Sequence, residues 1–221
     1  MKYFYKFEDY EELYNNFPAI SPKLILVKRA VIGGNVKEDR LYFEHIYDEQ
    51  INYIESTGTQ CIDLPVRMRQ GDYFEIVLDF TNKTTETNKQ LFSSNVANAF
   101  VSRTYSYSSP NMTFSSIVGG NAANGGFTFQ VNTRRTLLLS TTHVNGTALN
   151  RPIGSGYSFT KLTLLGNKDG VSCQIYGCKI KQNQNLIYDL IPVVRNSIGY
   201  LYDKISKQLF GNAGYKDFII N

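Results

Sequence analysis

The stretch DYFEIVLDF, residues 72–80, decides how this chain folds. Phe74, Ile76, Leu78 and Phe80 alternate with Tyr73, Glu75, Val77 and Asp79. That period of two puts one apolar face on a core and one mixed face toward water, as in a half-buried strand. Outward from it the pattern recurs. TFSSIV (113–118), FTFQV (127–131) and RTLLLSTTHV (135–144) read as strands, and Asn145-Gly146 then supplies the strongest short hairpin signal. Between the first two, GGNAANGG (119–126) reads as a loop, too rich in glycine for regular structure.

KLTLLGNKDGVSCQIYGCKIK (161–181) reads as two strands joined by the Asn167-Lys168-Asp169-Gly170 turn. In the second, Val171, Cys173 and Ile175 carry the apolar face at odd positions, whereas Cys178 and Ile180 carry it at even ones. An uncorrected slip of one residue would turn the core face to water, so the spacing predicts a β-bulge near Tyr176-Gly177. Many short strands between Gly, Asn and Ser turns give an all-β expectation: two packed antiparallel sheets over residues 51–221.

Composition agrees. The 221 residues are 42% hydrophobic and only 19% charged, with 16 Tyr and 14 Phe beside no Trp. That balance suits half-buried strands. A net charge of +4 from scattered basic residues argues against nucleic-acid binding. No run approaches the ~20 apolar residues of a membrane span, and MKYFYKFEDYEEL meets acidic residues before any signal-like apolar stretch. No membrane association is expected, and the chain reads as one made and folded in a cytoplasm. Cys61, Cys173 and Cys178 are too few and too unevenly placed for a disulfide framework. Cys173 and Cys178 sit ~16 Å apart on one extended stretch, beyond the ~7 Å that a disulfide allows. Buried free thiols are expected.

Residues 1–50 read as a separate small unit. Phe7, Tyr10, Tyr14 and Phe17 form one stripe of a helix in FEDYEELYNNF (7–17), which Pro18 and Pro22 end. LILVKRA (24–30) and RLYFEHI (40–46) read as a hairpin around Gly33-Gly34-Asn35. This unit is too short to hold a core alone. Its stripe packs either on the following domain or on another protein.

Two segments carry a resemblance. YIESTGTQCID (53–63) and LIYDLIPVVRNSIGYLYDKISKQLFGNAGYKDF (186–218) resemble the opening and closing segments of concanavalin-like or laminin-G-like jelly-roll modules. Such modules occur in virion and fibre proteins of tailed bacteriophages and prophages, notably those of gut Bacteroidetes. Ile62 and Asp63 match the family's opening pattern; Asp189, Ile191, Pro192, Gly199 and Asp203 match its closing one. The resemblance covers residues 51–221, weakly in the middle, and Cys61 stands where an aromatic residue is common. It implies a jelly-roll sandwich behind a small helix-plus-hairpin unit, and a non-enzymatic structural role in a virion as capsid decoration, head fibre or tail accessory. It further implies other virion proteins as partners, docked through Phe7, Tyr10, Tyr14 and Phe17, and a homo-oligomer. Fold alone does not fix activity.

In the residues themselves, catalysis finds little support. Glycoside cleavage needs two carboxyl groups ~5 to 9.5 Å apart, and Glu75 and Asp79 share a strand face at ~13 Å. His45 and His143 lie near no nucleophile-elbow pattern. The glycines at 119, 120, 125 and 126 lack the Lys and helix of a phosphate loop. NKDG (167–170) reads as a turn rather than a calcium loop. No cofactor or metal is expected. The alternative function is contact with host-surface carbohydrate: SRTYSYSSPN (102–111) offers Arg103, Tyr105, Tyr107 and Asn111, with both tyrosines expected on one strand face. YIESTGTQCIDLPV (53–66) reads as a structural corner rather than the mouth of a site.

Overall fold

The chain divides at Glu49/Gln50 into two compact units. The computed structural model describes residues 2–5, 25–26, 31–32, 35–36, 41–44, 46–97, 99–118, 121–148, 158–166 and 169–221. In the first unit β1 (Lys2–Tyr5) and β2 (Ile25–Leu26) flank β5 (Leu41–Glu44) in a three-stranded antiparallel sheet. Between them β3 (Val31–Ile32) and β4 (Asn35–Val36) close a separate tight hairpin. Of the two expected strands, Ile25 and Leu26 pair with Tyr42 and Leu41, while Val31 and Ile32 pair with Val36 and Asn35 in their own hairpin. A strand at Lys2–Tyr5 was not anticipated. The expected helix, with Phe7, Tyr10, Tyr14 and Phe17, lies outside the described residues.

The second unit follows β6 (Glu49–Gln50), at the boundary. Its strands are β7 (Ile54–Thr57), β8 (Ile62–Leu64), β9 (Phe74–Asn82), β10 (Gln90–Ser94) and β11 (Phe100–Ser108). Next come β12 (Asn111–Val118), β13 (Asn121–Gln130), β14 (Arg134–Ser140), β15 (His143–Val144), β16 (Thr147–Ala148) and β17 (Leu162–Leu164). The last are β18 (Ser172–Gln182), β19 (Asn185–Arg195), β20 (Ile198–Asp203), β21 (Leu209–Phe210) and β22 (Ile219–Ile220).

They form two antiparallel sheets. The smaller runs β13-β12-β11-β10-β17-β8; the larger runs β16-β15-β14-β9-β18-β19-β20-β21, with β7 beside the first half of β18 and β22 beside β7. The chain switches sheets repeatedly, as in a jelly roll. The core between the sheets is what the alternation predicts: Phe74, Ile76, Leu78 and Phe80 of β9 are buried against Phe92, Phe100 and Phe114 of the smaller sheet. Phe74 meets Phe100 edge-on at 5.3 Å and Phe80 meets Phe114 at 6.3 Å, geometries the ring quadrupole favours.

The predicted bulge is present. The β9–β18 register shifts between Ile175 and Gly177, and Cys173, Ile175, Cys178 and Ile180 all stay buried. All three cysteines are free and buried. Burial raises the Cys173 thiol and pushes Cys178 up to about 12, so neither is a thiolate near neutrality. Asn145-Gly146 closes the β15–β16 hairpin, both residues at positive φ, 46° and 81°.

Two expectations fail. GGNAANGG is not a loop: from Asn121 it belongs to β13, paired with β12 down to Val118↔Asn121. Glycine weakens a strand without forbidding one, and here it permits a close approach, since a Cβ on Gly126 would stand 3.1 Å from the Phe114 carbonyl oxygen. Nor do the strands flanking 167–170 form a hairpin. β17 lies in the smaller sheet and β18 in the larger, so this connection crosses the sandwich.

Candidate functional site

The first and last strands of the sandwich meet. β22 pairs with β7, Ile219 opposite Glu55 and Ile220 opposite Ile54. Beyond them the turn at residues 56–60 interlocks with residues 211–217. Gln60, 2% exposed, accepts at Oε1 from the Thr57 N–H (2.8 Å) and both neighbouring hydroxyls, and its Nε2 donates to the Asp217 carbonyl at 3.0 Å. The Tyr215 and Ala213 N–H groups donate to the Thr59 and Cys61 carbonyls, and the Cys61 N–H donates to Asn212 Oδ1. Of the residues matching the closing pattern, Gly199 packs against this junction and Asp203 holds the neighbouring turn. A Cβ on Gly199 would fall 2.8 Å from Ile220 and 3.1 Å from Ile54, and the buried Asp203 carboxylate accepts the Asp189, Ile205 and Ser206 N–H groups. The 53–66 stretch thus forms a structural corner.

It also walls a cleft. Thr57, Gly58 and Thr59 face the 83–89 segment across about 260 Å³, with Gly170 and Ser172 at the base. The base is backbone against backbone: the Gly170 N–H donates to the Gly58 carbonyl, and a Cβ on Gly170 would lie 1.9 Å from the Leu165 carbonyl oxygen. Gly58 itself holds φ +95°, which only glycine adopts freely. The far wall is tied down by Thr104 of β11, whose hydroxyl donates to the Glu86 carbonyl and accepts the Lys89 N–H. Both lysines of the cleft are ion-paired, Lys83 with Glu55 at 2.7 Å and Lys89 with Glu86 at 3.2 Å.

The carbohydrate candidates begin at Arg103 and Tyr105, on either side of Thr104. Arg103, Tyr105, Tyr107 and Asn111 are exposed, Tyr105 at 66% and Tyr107 at 40%. They do not form one patch. Four strand residues separate Arg103 from Tyr107, roughly 13 Å. The β11–β12 register shifts between Thr104 and Ser106, so Tyr105 occupies a bulge while Tyr107 stands opposite buried Met112. The bulge breaks the alternation that would have put both rings on one face. Tyr107 and Asn111 sit at the hairpin tip; Arg103 and Tyr105 sit further along β11, and neither lines the cleft. The cleft was invisible to local reading, because each of its walls reads as an ordinary turn.

The larger sheet's outer face carries paired charges. Asp79 accepts the one Nε–H of Arg134, shared between its oxygens at 3.0 and 3.1 Å, and a second bond from Nη2; Arg134 lies 3.9 Å over the Tyr176 ring. Glu75 takes Lys181 at 2.9 Å and the Tyr73 hydroxyl at 2.8 Å, and the Lys181 bond holds its carboxyl below the usual range. Glu75 and Asp79 share the face, as predicted, and each is neutralised by its own cation. No group of three metal-ligating side chains occurs among the described residues. His143 is exposed, with Nδ1 2.9 Å from the Thr142 hydroxyl.

No family model matches the sequence, and no curated protein does. Among solved structures, the chain is similar to a native heptameric SAP-like pentraxin from Limulus polyphemus, at 10% identity over 60% of this chain and 70% of that one, with a TM-score of 0.35.

Proposed function

We propose that the chain is a non-enzymatic structural protein of an assembled particle, its sandwich displayed outward and its leading unit acting as the anchor. The setting is the one its sequence resemblance implies, a tailed-bacteriophage virion, where a concanavalin- or laminin-G-like module serves as capsid decoration, head fibre or tail accessory. The observation that carries this reading is the clasp. The two segments that bear the resemblance bond to one another across 156 residues of sequence, so they are one device for closing a self-contained module. The described ion pairs add support: Glu55, Asp63, Glu75, Asp79 and Asp189 each hold a cation. The test is particle incorporation. A chain beginning at residue 51 should keep the strand-rich circular dichroism of the full chain and disappear from purified particles. Equal copy number in particles would refute the anchoring role of Phe7, Tyr10, Tyr14 and Phe17.

Contact with host-surface carbohydrate is a second reading, compatible with the first. It is favoured by the polar cleft. Binding of the full chain to a glycan array tests it, and a blank array at high protein concentration refutes it.

A further inference from the structure

The cleft beneath the Thr57-Gly58-Thr59 turn has a defined chemistry. Its volume, about 260 Å³, falls below the roughly 300–1,000 Å³ of pockets for drug-sized ligands, so it suits one small molecule. Its base is fixed by glycine contacts that leave no room for a side chain.

The hydroxyl wall is oriented. Thr57 Oγ1 donates to Gln60 Oε1 and Thr59 Oγ1 donates to the Tyr215 carbonyl. A hydroxyl has one proton and two lone pairs, so with their protons turned inward both threonines keep acceptor capacity for the cleft. The opposite wall is mixed: Lys83 and Lys89 bring donors, the Glu86 carboxylate an acceptor and the Thr85 hydroxyl both. Each lysine is already matched by a carboxylate, Glu55 and Glu86, so the cleft has no surplus charge to capture an anion. A neutral ligand that both donates and accepts at neighbouring atoms matches these walls. Vicinal hydroxyls do this.

We infer that this cleft is a metal-independent subsite for one neutral sugar residue, which donates hydroxyl protons to Thr57 and Thr59 and accepts from Lys83 and Lys89. This deepens the carbohydrate reading and rests on it. Arg103, Tyr105, Tyr107 and Asn111 do not line the cleft, so none of them belongs to this subsite.

The experiment is an amide NMR titration of the full chain with methyl glycosides of glucose, galactose, mannose and N-acetylglucosamine, taken into the millimolar range with EDTA present. At least one glycoside should shift Gly58, Gly170 and Ser172. Two substitutions at exposed rim positions, Thr85→Trp and Thr59→Tyr, fill the cleft from opposite walls and should each weaken binding about tenfold or more, the loss of two hydrogen bonds. Tyr105→Ala should change it by less than about threefold, the smallest effect such a bond has. Unchanged binding in both cleft variants overturns the subsite, as does any binding that needs added calcium. Shifts confined to Tyr105, Tyr107 and Asn111 overturn the subsite and leave the carbohydrate reading standing. No shift with any glycoside, joined to a blank glycan array, removes both.

Discussion

The terminal clasp and the β11–β12 hairpin occupy the same end of the sandwich and are built on opposite principles. Backbone bonds place them there: Pro110 accepts from Val131, Asn132 donates to Asn82, and Asn82 stands opposite Cys173, which faces Ser56. The clasp consists of buried amides and glycines in contact with backbone. The hairpin tip consists of exposed tyrosines, serines and an asparagine that bury little. Stability at this end should therefore reside almost wholly in the clasp and its cleft floor, and substitution can separate the two.

Gly170→Ala should have the largest effect. Its Cβ would collide with the Leu165 carbonyl at 1.9 Å, a backbone atom that cannot swing aside. A cost above about 4 kcal/mol is expected, enough to lose the folded chain. Gly146→Ala is the matched control: it has φ +81° but nothing within 4 Å of a Cβ, so only left-handed strain of about 1–2 kcal/mol applies. Thermal denaturation of the pair separates collision from backbone strain, and similar melting temperatures would refute the packed floor. Gln60→Ala comes next. It strands the Thr57 N–H and the Asp217 carbonyl in a buried junction, at about 1–3 kcal/mol for each group left unsatisfied.

How much of this was legible follows from where each determinant lies. The alternation in residues 72–80 is a property of one strand, so it marked the core residues correctly. The bulge at Tyr176-Gly177 was legible for the same reason, because the apolar positions themselves change parity. The crossing between β17 and β18 was not, since a strand-turn-strand pattern looks alike whether the second strand pairs with the first or joins the other sheet. The glycines of 121–126 misled because strand formation there depends on the β12 backbone, which supplies the hydrogen bonds from another segment. The bulge at Tyr105 left no trace, since Ser102 to Ser108 is polar enough that no parity change shows. Of the candidate site, the four hairpin residues were found one by one, while the cleft depends on residues 57–59, 83–89 and 170–172 coming together.

A smaller effect is expected on the larger sheet, away from both regions. Lys181 holds the Glu75 carboxyl below its ordinary value, so the folded state favours the ionised form. The stability this supplies is complete above the usual glutamate value near ~4.3 and is lost as pH falls through the depressed folded value. Glu75→Gln should lower stability at pH 7 by at most about 1 kcal/mol, because the pair is partly solvated, and flatten the acid side of the profile below about pH 5. Urea midpoints measured from pH 3 to pH 7 check this. A variant whose acid limb parallels the wild type would show that the pair contributes nothing.

The smallest change should come from Tyr105→Ala. The ring is 66% exposed and sits at a bulge, where it supports no cross-strand neighbour in the ladder, so its removal should cost under about 0.5 kcal/mol. A near-zero cost is informative. A large aromatic side chain left in water gains nothing from folding, and the same experiment on Phe114, stacked on Phe127 at 4.9 Å in the core, should cost about 3–5 kcal/mol. If Tyr105→Ala instead destabilised the chain by more than about 1 kcal/mol, the ring would be part of the packing. The contrast between a closed clasp and an open hairpin would then collapse.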